Sequence, residues 1–184
     1  MRLLLTSLAL LVWFTGAAGQ QSERTIRAEI VVNKNIDSVW KAWTTEEGVK
    51  TFFAPDCHVD ARANGDYEIY FNPAGEKGQR GAEGTRILAL QAPTMISFSW
   101  NNPPHLPAIR WQYTSVVVRL EKISEGKTKV VLSQSGFGDG KDWDESFSFF
   151  SEAWKVQILP FLKQSLESGP INWKNPPKAS TGTN

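Results

Sequence analysis

The chain has 184 residues, of which 20 are Lys or Arg and 19 are Asp or Glu, and it carries a single cysteine. The two signs are mixed along the sequence, which excludes the one-sided basic face of a nucleic-acid binder, and a lone thiol excludes an internal disulfide. Stability must come from an ordinary apolar core, and the length suits one domain.

At the start, Arg2 precedes an apolar run from Leu3 to Phe14, followed by the small residues Gly16-Ala17-Ala18-Gly19. This pattern predicts a cleavable secretory signal peptide over residues 1–19, with cleavage after Ala18 or Gly19. The apolar run is about 12 residues, well below the ~20 of a permanent membrane helix; an N-terminal membrane anchor is the alternative. Cys57 is too far away to carry a lipid anchor. Removal of a leader bearing Arg2 leaves 19 charges of each sign. The expected location is periplasmic or secreted, with no membrane span in the mature protein.

From Arg24 to Val32, Ile26, Ala28, Ile30 and Val32 recur at every second position, the period of a strand with one buried face. Asn35 can cap a helix through Val39, Trp40 and Trp43, and Thr44-x-x-Glu47 has the form of a capping box opening a second short helix toward Phe52 and Phe53, stopped by Pro55. Six β-rich segments follow: Cys57 to Arg62, Asp66 to Asn72, Gly84 to Leu90, Met95 to Trp100, Trp111 to Glu121 and Lys127 to Ser135. Turn-like links such as Asn64-Gly65, Pro93-Thr94 and Ser124-Glu125-Gly126 predict an antiparallel meander. Two longer links, Pro73 to Gly81 and the Pro-rich Asn101 to Pro107, read as mobile loops able to lid an opening.

The last element starts near Asp142, and its apolar residues Trp143, Phe147, Phe150, Trp154, Ile158, Phe161 and Leu162 are spaced in threes and fours, an amphipathic helix. Pro160 is expected to bend it locally, and Gly169-Pro170 to stop it. Residues 169–184 read as a flexible tail, apart from whatever Trp173 touches.

The order of strand, two short helices, meander and long C-terminal helix resembles the helix-grip fold of the START-like (SRPBCC) superfamily. Within it, several strings resemble the activator of heat-shock protein 90 ATPase homologue-like family: Ser38-Val39-Trp40-Lys41-Ala42-Trp43-Thr44, Ala63-Asn64-Gly65-Asp66-Tyr67, Gly81 to Gly84, Thr128 to Leu132, Ser135-Gly136-Phe137, Ala153-Trp154-Lys155 and Ile158-Leu159-Pro160-Phe161-Leu162. The resemblance implies an α+β domain over residues 20–168, a curved antiparallel sheet of about seven strands wrapped around the C-terminal helix. Ala153 and Phe53 stand where the family usually has Gly and Trp, which alters the space between helix and sheet. The co-chaperone activity that names the family concerns a cytosolic ATPase, which an exported protein would rarely meet.

In such a fold the inward faces either fill the core or line a cavity. Alternation groups Tyr67 with Ile69 and Phe71, Ile96 with Phe98 and Trp100, Thr114 with Val116, Val118 and Leu120, and Val130 with Leu132 and Gln134, with Trp143, Phe147, Phe150 and Trp154 opposite. Aromatic walls with a few polar atoms, here Gln112, Thr114 and Gln134, describe a small-molecule pocket and equally a packed core. The candidate ligand-binding residues are Tyr67, Trp100, Trp111, Gln134, Phe150 and Trp154, and the expected partner is a small hydrophobic or amphipathic molecule.

Catalytic motifs are thin. Cys57 and His58 are neighbours on a predicted strand and point to opposite faces, so they form no nucleophile–base pair. His105, with Asp56 or Glu68, is the rival enzyme reading as a hydrolase, cyclase or isomerase. Asp139, Asp142 and Asp144 lack the order of a calcium loop and read as helix capping. No metal and no cofactor is assigned. A third reading is a protein-interaction or chaperone-related module using the outer face of the sheet.

Overall fold

A computed structural model describes residues 23–177. The proposed leader lies outside the described residues, as do residues 178–184. The first strand, β1 (Ile26–Val32), is followed by α1 (Ile36–Thr44) and α2 (Glu46–Phe52). Then come β2 (Asp56–Val59), β3 (Tyr67–Tyr70), β4 (Gly81–Ala82), β5 (Ile87–Gln91), β6 (Met95–Asn101), β7 (Tyr113–Ser124) and β8 (Lys127–Ser135). The chain closes with α3 (Lys141–Glu152), a π-helical segment (Ala153–Ile158) and α4 (Leu159–Ser168).

The local signals explain most of these boundaries. Asn35 accepts from the Ser38 amide at 2.8 Å and caps α1. The cap of α2 is Thr45, one residue later than the capping-box pattern suggests: Thr45 is extended and accepts from the Gly48 amide at 3.0 Å. Thr44 instead finishes α1 and returns its hydroxyl to the Trp40 carbonyl at 2.8 Å. Gly48 lets the two helices close up, since a Cβ there would lie 2.3 Å from the Lys41 carbonyl oxygen. α3 begins after Gly140, which has no side chain to cap it; Asp142 and Asp144 lie not at the cap position but inside its first turn, where negative charge suits the helix dipole. Asp144 also pairs with Arg24, which bonds the Gly138 carbonyl as well.

The strands are antiparallel throughout but form two ladders, β1-β8-β7-β6-β5 and β2-β3-β4, joined by a bridge between Asp66 and Arg86. β4 begins at Gly81, the last residue of the Gly-rich link, pairing Gly81 with Tyr70 and Ala82 with Ile69. In the larger sheet Trp100 is opposite Thr114, and Val116 is opposite Gln134. That register puts Phe98, Trp100, Val116, Val118, Leu132 and Gln134 on the buried face, where α1, α2 and the C-terminal helices cover them.

Pro160 acts differently from a simple kink. A prolyl ring in an α-helix clashes with the carbonyl four residues earlier, here Val156. The preceding turn widens to π geometry, with the Leu159 amide bonded to the Trp154 carbonyl, and α4 restarts with the proline in its first turn. The beginning of the expected tail is docked rather than loose. Ile171 is buried, its amide donates to the Thr51 carbonyl at 2.8 Å, and the Trp173 indole donates to the Lys50 carbonyl at 2.6 Å beside Phe161.

Candidate functional site: an aromatic cavity with an arginine rim

Between the π-segment and the ends of β6 and α2 lies a cavity of about 350 Å³. Its wall is an aromatic cluster. Phe53, just after α2, stacks on Trp100 with centroids 5.6 Å apart and planes 14° apart, and Trp154 meets both rings at 5.6 and 5.7 Å. Phe150 adds a further face, and Phe71 and Phe149, 45% and 46% exposed, stand at the open side. Such rings bring large apolar area with defined geometry.

The polar atoms in this wall are paired among themselves. The Trp154 indole N–H donates to Gln134 Oε1 at 2.6 Å, Gln134 Nε2 donates to Thr114 Oγ1 at 2.8 Å, and that hydroxyl donates to the Trp100 carbonyl at 3.0 Å. The relay fixes both tryptophans and leaves the cavity with an apolar surface, because a buried donor with a partner carries no unmet demand. Gln157, one helical step from Trp154, also lines the cavity, and its amide has no hydrogen-bond partner among the described residues.

The rim is held by one buried cation. Arg110 is 4% exposed. Its guanidinium donates to the Gly78 carbonyl at 3.0 and 3.2 Å, to the Gly81 carbonyl at 2.5 Å and to the Asn102 carbonyl, so it ties the Gly-rich link to the Pro-rich link. Asn102 is bonded further to the Ile109 and Gln112 carbonyls and accepts from Ser146 on α3. The two links expected to be mobile lids are thus stitched to each other and to the long helix. Glu83 balances the arginines. Arg80 Nε donates to its Oε1 at 2.8 Å, and Arg110 lies 3.9 Å from its Oε2. Burial pushes the Glu83 carboxyl up, but hydrogen bonds from the Gly78 and Arg80 backbones and the Arg80 guanidinium outweigh it and hold it below the usual carboxylate range. Burial lowers the Arg110 pKa, opposed by the Glu83 charge.

Of the six candidate binding residues, Trp100, Phe150 and Trp154 line the cavity together. The other three do not. Tyr67 is wholly buried behind the wall, its hydroxyl donated to the Trp43 carbonyl at 2.9 Å, with burial raising its pKa well above the ordinary value. Gln134 is fully buried as the middle of the relay. Trp111 falls in a turn before β7 and is 54% exposed, with the Arg110 guanidinium over its ring at 4.8 Å. Gln112 is exposed as well.

The remaining chemical candidates are scattered. His105 lies 3.3 Å from Glu145 on the surface, whereas Asp56 pairs with Lys50 at 2.9 Å and Glu68 accepts from Tyr70 and the Gly84 amide, so neither carboxylate named for His105 is its partner. Cys57 is buried and burial pushes its thiol up to about 12, while His58 on the opposite face is exposed. Among the described residues, no group of three His, Cys, Asp or Glu side chains is placed to hold a metal, and no helix is long and apolar enough to cross a membrane.

Comparison with known proteins agrees with this architecture. The family model described as activator of Hsp90 ATPase homolog 1-like protein matches residues 33–167. No curated protein matches the sequence. Among solved structures, a protein from Mesorhizobium loti is 20% identical with a TM-score of 0.63, covering 78% of this chain and 97% of its own. The Aha1 dimer from Colwellia psychrerythraea is 20% identical with a TM-score of 0.59, covering 79% and 98%. An Hsp90 activator from Plasmodium falciparum is 14% identical with a TM-score of 0.55, covering 74% and 91%.

Proposed function

The chain belongs to the activator of Hsp90 ATPase homolog 1-like family, and from that premise we propose that it is an exported, non-catalytic binding protein for a small hydrophobic or amphipathic molecule. The carrying observation is the cavity of about 350 Å³ walled by Phe53, Trp100, Phe150 and Trp154. A volume at the lower end of ligand pockets, roughly 300–1,000 Å³, suits a compact ligand. Because the polar atoms of Trp154, Gln134, Thr114 and Trp100 are already bonded to one another, a ligand that displaces water strands none of these. Shape and desolvation supply the affinity, and no bound cofactor takes part. The apolar leader over residues 1–19 supports export to the periplasm or outside the cell.

The test is native mass spectrometry of the protein purified from its export compartment, against the denatured mass of the same sample. A reproducible extra mass lost on denaturation supports the reading. Uptake of an apolar fluorescent probe should fall at least tenfold in Trp154→Ala and stay unchanged in Lys155→Ala, which alters an exposed residue. Ala153→Phe, which fills the cavity from the half-buried helix face without touching the relay, should block the probe in a protein that still melts cooperatively. Equal uptake by all three variants would defeat the proposal. A second reading, a chaperone-related interaction module, is favoured by the likeness to the Plasmodium falciparum Hsp90 activator; it predicts a stable protein complex that Ala153→Phe leaves intact.

A further inference from the structure

We propose that the cavity selects flat apolar anions, an inference that rests on the binding function above. The charged side chains that line it are Arg80 and Arg110, and no carboxylate lies among the lining residues. Glu83 sits behind them, paired with Arg80 at 2.8 Å and 3.9 Å from Arg110. Glu83 offsets one of the two guanidiniums and Glu68 also acts on Arg80 from outside the lining, so the charge that faces the cavity itself is that of the guanidiniums.

The two arginines divide the work. Arg110 spends its donors on the Gly78, Gly81 and Asn102 carbonyls and holds the rim together. Arg80 directs Nε and Nη2 to Glu83, and its Nη1 has no partner among the described residues. Its guanidinium lies over the Tyr70 ring at 4.6 Å, which limits its freedom and pre-orients the remaining donors. A carboxylate or sulfonate is the group that a planar guanidinium fork recognises best.

The wall sets the rest of the ligand. Phe53 and Trp100 lie 14° from parallel, and Trp154 closes the cluster. Flat rings fit an aromatic wall of this kind by offset-stacked or edge-to-face contact. Aromatic walls alone would also attract a cation. The rim's positive charge opposes one, so charge complementarity decides between the two.

Three probes of nearly one shape separate the possibilities: naphthoate, naphthamide and naphthylmethylammonium, titrated by calorimetry into the full protein. Naphthoate should bind about tenfold tighter than naphthamide, the scale of one charge-assisted hydrogen bond, with naphthylmethylammonium weakest. Added salt should narrow the gap. Arg80→Gln should abolish it in a protein that still melts cooperatively, and Arg80→Lys should keep most of it. Naphthamide binding as tightly as naphthoate to the unaltered protein, or an advantage that survives Arg80→Gln, would overturn the charge selection while leaving the binding function standing. Binding of none of the three would overturn both.

Discussion

Replacing Gln134 with Leu tests how the cavity wall is held. The side chain is wholly buried and sits between the Trp154 indole at 2.6 Å and the Thr114 hydroxyl at 2.8 Å. Leucine is of similar size but neither accepts nor donates, so the indole N–H loses its acceptor in a place water does not reach. A stranded buried donor costs about 1–3 kcal/mol, and the lost bond to Thr114 about 0.5–1.5 kcal/mol more, giving about 1.5–4.5 kcal/mol. For a domain of this size that corresponds to a fall in Tm on the order of 10 °C. Urea unfolding of Gln134→Leu, Trp154→Phe and the double variant forms a cycle. Because Phe removes the stranded N–H, the double variant should be at least 1 kcal/mol more stable than additivity of the singles predicts. Additive singles, or a Gln134→Leu protein as stable as the parent, would refute the idea that the relay fixes Trp154.

Two further outcomes follow from the packing and the charges. Alanine is normally the better helix former, by about 1 kcal/mol over glycine, yet Gly48→Ala should destabilise by about 2 kcal/mol or more in denaturant titration, because its Cβ would sit 2.3 Å from the Lys41 carbonyl oxygen and 2.6 Å from the Ala42 Cα, both backbone. Glu83 has its carboxyl held below its ordinary value of 4.5 in the folded protein, so its contribution to stability is complete above that pH and is lost as pH falls through the lowered value. Stability measured across that acid range should therefore fall less steeply in Glu83→Gln than in the parent, though Glu83→Gln starts lower at neutral pH.

The fold was readable because its signals are local and periodic. Alternation along β8 and the step of three and four along the C-terminal helix each name a buried face without help from the rest of the chain. The same logic turns Trp100, Phe150 and Trp154 toward the gap between sheet and helix, where they line the cavity. It erred where a face has two depths. Tyr67 and Gln134 do point inward, but their polar tips are used up by Trp43, Thr114 and Trp154 one layer behind the cavity. Trp111 was placed on a strand that begins two residues later. Gln157 had a usable signal, being three residues after Trp154. Arg110 had none: a lone arginine after a Pro-rich link reads as solvated, and only the folded chain reveals the carbonyls of Gly78, Gly81 and Asn102 converging on it.

The π-segment from Ala153 to Ile158 makes the C-terminal helix a rod with two phases. Each residue of an α-helix advances the direction of its side chain by a constant angle, so a stripe that faces the sheet at Phe150 drifts out of step unless something resets it. The widened turn is that reset, and it brings Leu159, Phe161 and Leu162 back onto the core. Forcing the same residues into a regular α-helix would swing every later side chain by about 100° around the axis and expose that apolar trio, whereas removing one residue as the turn tightens would leave them in place. The residue that the wide turn absorbs therefore sets the reading frame of the helix whose side chains shape the cavity wall.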